Sequence, residues 1–434
     1  MVLRAMYTGV SGLRAEGEAL GVVGDNIANV NTVGYKRQRV IFQDVLGHSI
    51  LAGTASSLPG SGVRVGAVQQ IFSQGSLSNT GQSTDIALNG AGFFVVKGTV
   101  DGISGNFFTR AGQMTINKDG FLVNPDGLQV QGYAANPDLT LQAAVTSLKV
   151  PTSSLSPHMT ETMTITANLN SAADVPSLPF DVADPTNTSN APPASLTVYD
   201  SLGNARNLDI YFEKTSDNNW NYHVLSDDGQ LAGGTAGTFT EVGTGTLAFN
   251  TDGSLDTAGI GAMSLDFADG ATAGQAITID FGQPSNGGTT GSGLNGTTQF
   301  AAATAVSANS QDGYSSGEFS GVSIDGMGLV QGLYTNGQKL AIGQLAVAKF
   351  RSEDGLGRAG AGLWIETRDS GTAALGGAGT GGRASVNAAT LEESNVDLAE
   401  EFVGLIQHQR SFSANSKTIT TADEMLQELI NIKR

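Results

Sequence analysis

Apolar side chains recur along the first thirty residues at Leu3, Met6, Val10, Leu13, Leu20 and Ile27, in steps of three, four and seven. That spacing lines them up on one stripe of a helix. The last forty residues repeat the pattern more strictly. Leu398, Leu405, Phe412, Ile419 and Leu426 fall every seven residues, and Phe402 adds a contact half a repeat on. A sustained seven-residue apolar repeat predicts a coiled-coil seam. Asn395 is placed as its N-cap. Asp397, Glu400 and Glu401 sit where the helix dipole favours negative charge, and Lys433 and Arg434 lie at the opposite end.

Between these ends the reading is β. Ile86-Ala87-Leu88 and Phe93 to Val96 flank a glycine-containing turn, and Phe107 to Thr109, Met114 to Ile116 and Phe121 to Val123 follow, with Asp119-Gly120 as a hairpin turn. Similar runs return at Val322 to Ile324, Gly332 to Tyr334 and Leu345 to Phe350. One β domain built from both halves of the chain explains this, with an insertion between the halves. The expected architecture is multidomain α+β. Residues 1–32 and 395–434 form a terminal helical pair, and 33–75 and 376–394 connect it to a split β domain of 76–150 and 307–375. Residues 151–306 are the inserted β domain, with an alternating strand at Leu208 to Phe212.

Charge sharpens that division. The insertion carries sixteen Asp and Glu against only Arg206 and Lys214, so most of the net charge of −18 belongs to it. The remainder is close to neutral and can self-associate without strong repulsion, whereas an acidic chain repels nucleic-acid phosphates and anionic lipid. Glycine, 59 of 434 residues, weakens the first helix at Gly9, Gly12, Gly17, Gly21 and Gly24. Each costs a helix interior about 1 kcal/mol relative to alanine, so that helix needs a partner, and the C-terminal seam is the obvious one. Two such helices leave apolar surface for neighbouring chains to cover.

Chemistry finds little support. Three Gly-x-Gly-x-x-Gly runs begin at Gly291, Gly355 and Gly377, none opening a helix after a strand. The histidines, His48, His158, His223 and His408, have no metal-ligand spacing, and there is no cysteine. The Asp-Gly pairs lack the ladder of a calcium loop. No catalytic, cofactor-binding or metal residue is therefore assigned, and neither a signal-peptide core nor a membrane-spanning run is expected.

Gly24-Asp25-Asn26-Ile27 followed by Ala28-Asn29-Val30-Asn31-Thr32-Val33-Gly34-Tyr35-Lys36 closely resembles the signature of bacterial flagellar rod and hook proteins. Its key positions are Asn26, Asn29, Asn31, Gly34, Tyr35 and Lys36. Further matches follow in order at Thr84 to Leu88, Gly92 to Val96, Phe108 to Gly112, Asp119 to Asn124, Gln131 to Tyr133, Asn395 to Phe402 and Asp423 to Leu426. Lys36 to Arg39 with Phe42, Asp44 and Leu46 also looks like distal rod members, but Val198 to Asn204 resembles the outer domain of hook members. The resemblance implies an extracellular structural subunit, not an enzyme and without cofactor, exported without a cleaved signal by the flagellar type III apparatus. It would polymerise with copies of itself and meet rod proteins, a hook cap and hook-filament junction proteins. A hook must bend, and glycine-rich stretches near 285–297 and 371–383 are the expected hinges. A secreted adhesin is the competing class.

Overall fold

The computed structural model describes residues 2–46, 60–136, 140–259, 261, 263–289 and 291–432. His48, Lys433 and Arg434, singled out above, lie outside the described residues. Two compact units divide the chain. The first comprises residues 1–152, 321–333 and 339–434, the second 153–320 and 334–338.

Unit 1 begins and ends in helices, α1 (Val2–Ala28) and α2 (Leu398–Ile432), which pack on each other. The strands Gln38–Leu46 and Gly60–Gln70 form an antiparallel pair that lies against α1. Within the second connecting segment, Ser385–Ala388 pairs with Ile86–Asn89 and Thr390–Glu392 with Leu77–Asn79. The main sheet runs through Leu329–Tyr334, Lys339–Lys349, Gln129–Ala135, Phe93–Val100, Ile103–Thr109, Leu363–Ile365 and Gly357–Gly360. The two halves of the chain therefore alternate within one sheet. Its core is aromatic: the Phe93 and Trp364 rings lie 5.4 Å apart, and Phe108 meets Phe350 edge-on at 4.7 Å.

Unit 2 is a two-sheet β structure. An antiparallel meander of Ala194–Tyr199, Ala205–Ser216, Asn219–Asp227, Phe239–Phe249 and Leu255–Gly259 forms one sheet. Met263–Leu265, Gln275–Asp280, Thr162–Asn168 and Ala305–Gln311 form the other. A single apolar cluster takes residues from both, including Ile165, Ile210, Phe212, Trp220, Val224 and Ile277, so this unit is one lobe. Its chain boundary departs from the expected 306. Ala305–Gln311 pairs with Thr162–Asn168, so residues 307–320 belong to unit 2 and not to the split β domain. The partner strand lies far back in the chain, and no local pattern announces that pairing.

Neither expected hinge is bare coil. Ala374–Gly377 is a strand on Lys339–Lys349, and Arg383 ties the following turn by donating to the carbonyls of Ala374, Leu375 and Thr380. In the 285–297 stretch, Gly287 N–H donates to Asp256 and Gly282 bridges to Gly296.

Candidate functional site: the junction of the end helices

The motif residues converge where α1 ends and α2 begins. Asn26, fully buried in the last turns of α1, uses its amide as a strand would. Its Nδ2 donates to Gln38 O at 2.8 Å, and its Oδ1 accepts from Gln38 N at 2.9 Å and from the Tyr35 hydroxyl at 3.3 Å. Tyr35 Oη in turn accepts from Gln38 Nε2 at 3.0 Å. Burial pushes the Tyr35 hydroxyl above its usual pKa, keeping it a neutral donor. Asn29 closes the helix end, donating to Asp25 O and accepting from Thr32 Oγ1. Asn31 is exposed. Gly34 takes a left-handed φ of +70°, where an added Cβ would lie 2.6 Å from Ala111 N, so only glycine fits.

Lys36 is the most consequential member. Its ammonium lies 2.5 Å from Glu392 Oε1 and donates to Ser73 O at 2.7 Å. The second oxygen of Glu392 takes Arg110 at 3.2 Å. Lys36 and Glu392 are fully buried, so two cations share one carboxylate away from water. Burial lowers the Lys36 pKa, with Arg110 adding to the effect and Glu392 opposing it.

Beside this cluster Arg37 forks onto Glu400 at 2.6 and 2.8 Å and reaches Glu401 at 2.9 Å. The Arg37 hydrogen bond holds Glu400 below its ordinary pKa. The helix cap is not where the sequence placed it. Asp397 Oδ1 accepts from Ala399 N and Glu400 N, whereas Asn395 accepts from Arg37 N and donates to Ile71 O and Ser73. Both residue types favour N-caps, and only the fold shows which one starts the helix.

The helices themselves run antiparallel. Gly9 faces Ile419, Gly12 faces Asn415, and His408 Nδ1 lies 2.6 Å from Glu16 Oε2. The face that α1 buries is Gly9, Gly12, Ala15, Ala19, Val23 and Asn26. The apolar stripe flanks it: Met6, Val10, Leu13, Leu20 and Ile27 are half-buried and Leu3 is 62% exposed. On α2, Leu405, Ile419 and Leu426 are half-buried, while Leu398, Phe402 and Phe412 remain 41%, 51% and 39% exposed. Glu401, His408, Asn415 and Ala422 complete the inward face, also seven apart. A search for apolar periodicity passes over them because they are small or polar. Glu392 was missed outright, having no local signal, while Gln38 and Arg110 fall inside the stretches that resemble the family but were given no role.

These features define a structural subunit whose chain ends are stitched together while apolar side chains stay uncovered. Family models match in register: "Flagella basal body rod protein" at residues 6–36, "Flagellar hook protein FlgE/F/G D1 domain" at 87–167, "Flagellar basal body protein FlaE D2 domain" at 168–314 and "Flagellar basal body rod FlgEFG protein C-terminal" at 388–432. The chain is 35% identical to the flagellar hook protein FlgE of Salmonella typhimurium over 430 residues, 98% of each chain. It is 33% identical to that of Treponema pallidum over 482 residues, all of both chains. A crystal structure of the Helicobacter pylori flagellar hook protein FlgE2 shares the fold at a TM-score of 0.51 and 14% identity, covering 71% of this chain and 99% of that one. The chain belongs to the family of flagellar hook proteins. That family is structural and not one of enzymes.

Proposed function

We propose that this chain polymerises with copies of itself into the flagellar hook through a coiled-coil seam formed by its end helices. The observation that carries the reading is the uncovered apolar surface on both helices. Leu3 on α1 and Leu398, Phe402, Val403, Ile406 and Phe412 on α2 are exposed in the single chain. Side chains of this size and number on a helix already docked on one partner call for a second, and a head-to-tail contact that does not close on itself makes a helical filament. The rim is neutral enough to allow it, because most of the net charge of −18 resides in residues 151–306. Rod proteins, a hook cap and hook-filament junction proteins at the cell exterior, and the flagellar export apparatus that delivers the chain there, are the partners this role requires.

The test is Phe402→Asp with Phe412→Asp. Both side chains are exposed, so the soluble subunit should unfold at the wild-type denaturant concentration, yet sedimentation and electron microscopy should find no polymer. Tubes formed at the wild-type concentration would refute the seam. Rod family models match both ends of the chain, which gives the distal rod as the second reading. Tubes that curve would support hook, and straight ones rod.

A further inference from the structure

Unit 2 is almost one continuous stretch of chain, 153–320 with 334–338, whereas unit 1 is assembled from three separated ones. The last of these closes it. Ser385–Ala388 pairs with Ile86–Asn89, whose Ile86, Ala87 and Leu88 are fully buried, and Thr390–Glu392 pairs with Leu77–Asn79. Glu392 arrives on that final strand. Its carbonyl accepts from Gly34 N at 2.7 Å and its Oε1 from Gly75 N at 3.0 Å. Its carboxylate meets Lys36, 356 residues earlier, and Arg110, 282 residues earlier. Both cations belong to the first segment and are at most 3% exposed. Without Glu392 that segment would hold two buried cations with no counter-charge, and an unpaired buried charge is strongly destabilising. Closing so long a loop must also precede the contacts that reward it.

We propose that Glu392 is a folding-order lock: unit 2 folds first, and unit 1 closes in a later step that requires the C-terminal strand to bring this carboxylate to Lys36 and Arg110. The helix pair grows from the same segments at Asn26 and Asp397, so only a chain docked at both ends presents the helices together. An incomplete chain is thereby kept out of any polymer those helices build.

The protein carries its own reporters, Trp220 buried in unit 2 and Trp364 buried in unit 1, and no other tryptophan. Refolding of the full-length chain from denaturant is followed by stopped-flow fluorescence in Trp364→Phe, which reports unit 2, and in Trp220→Phe, which reports unit 1. The Trp220 phase is expected to be the faster. Glu392→Gln in each background should slow the Trp364 phase by about tenfold or more and leave the Trp220 phase unchanged. Equal rates for the two tryptophans in the parent chain, or a Trp364 phase indifferent to Glu392→Gln, would overturn the proposal. Should Glu392→Gln prevent unit 1 from folding, the uncharged triple variant Lys36→Met, Arg110→Met, Glu392→Gln decides. Recovery of Trp364 burial supports a lock made by charge, and continued failure overturns it.

Discussion

The glycines of α1 separate into two classes, and alanine substitution should move them in opposite directions. Around Gly17, Gly21 and Gly24 nothing lies within 4 Å of an added Cβ. Alanine there gains helix propensity at no steric cost, about 1 kcal/mol each and about 3 kcal/mol for the triple variant. At Gly9 the new Cβ would lie 2.8 Å from Ile419 Cγ1 and 3.4 Å from Asn415 O. Carbon atoms pack best at about 3.5–4.0 Å, so Ile419 or the whole helix must withdraw by roughly 0.7 Å or more. Overpacking of this kind costs about 1–3 kcal/mol, which exceeds or just offsets the propensity gain of about 1. Gly12 falls between, because what its Cβ meets at 2.6 Å is the amide end of Asn415, which can swing aside. The expected order of stability is therefore the triple variant above wild type, Gly12→Ala near it, and Gly9→Ala level with it or up to about 2 kcal/mol below. Urea unfolding of the soluble chain, followed by helical ellipticity at 222 nm, measures it. A Gly9→Ala helix pair as stabilised as Gly17→Ala would refute the close antiparallel approach on which this argument rests.

Other outcomes follow from the junction. Asn26→Leu strands Gln38 N–H and C=O without partners in a buried site, at about 1–3 kcal/mol for each unmade bond. A denaturation midpoint of Trp364 fluorescence within error of wild type would contradict that. Asp397→Ala should cost α2 about 1 kcal/mol through loss of its cap, read as fraying by hydrogen exchange at Ala399 and Glu400, and Asn395→Ala should leave those amides protected. For Lys36 the sign follows from its lowered folded pKa. Just below the ordinary lysine value of 10.5, the unfolded chain holds a proton that folded Lys36 has given up, so stability from this group rises with pH and is lost as pH falls. Stability against pH should therefore climb more steeply in the alkaline range just below the ordinary lysine pKa in wild type than in Lys36→Met, and parallel curves would count against the burial of its charge.

The periodicity of the two terminal segments, read in the sequence alone, determines much of this protein. Apolar spacing alone marks both helices, short unbroken apolar runs mark the strands at Ile86 and Phe93, and alternation marks the one at Leu208, because each secondary structure imposes its own pattern on side chains that must face a core. The ordered motifs from Asn26 to Lys36 and from Asn395 to Phe402 identify the family. Tertiary structure alone decided which positions face which. α1 packs through Gly9, Gly12, Ala15 and Ala19 because small residues let the backbones approach, and hydrophobicity carries no trace of that. Asn395 is a stitch and Asp397 the cap because of where Ile71 and Ser73 lie. Lys36, Arg110 and Glu392 become one cluster only when residues hundreds of positions apart meet. Local patterns report how a segment meets a core, while charge pairing and backbone approach depend on which segment arrives beside it, and that is settled by the fold.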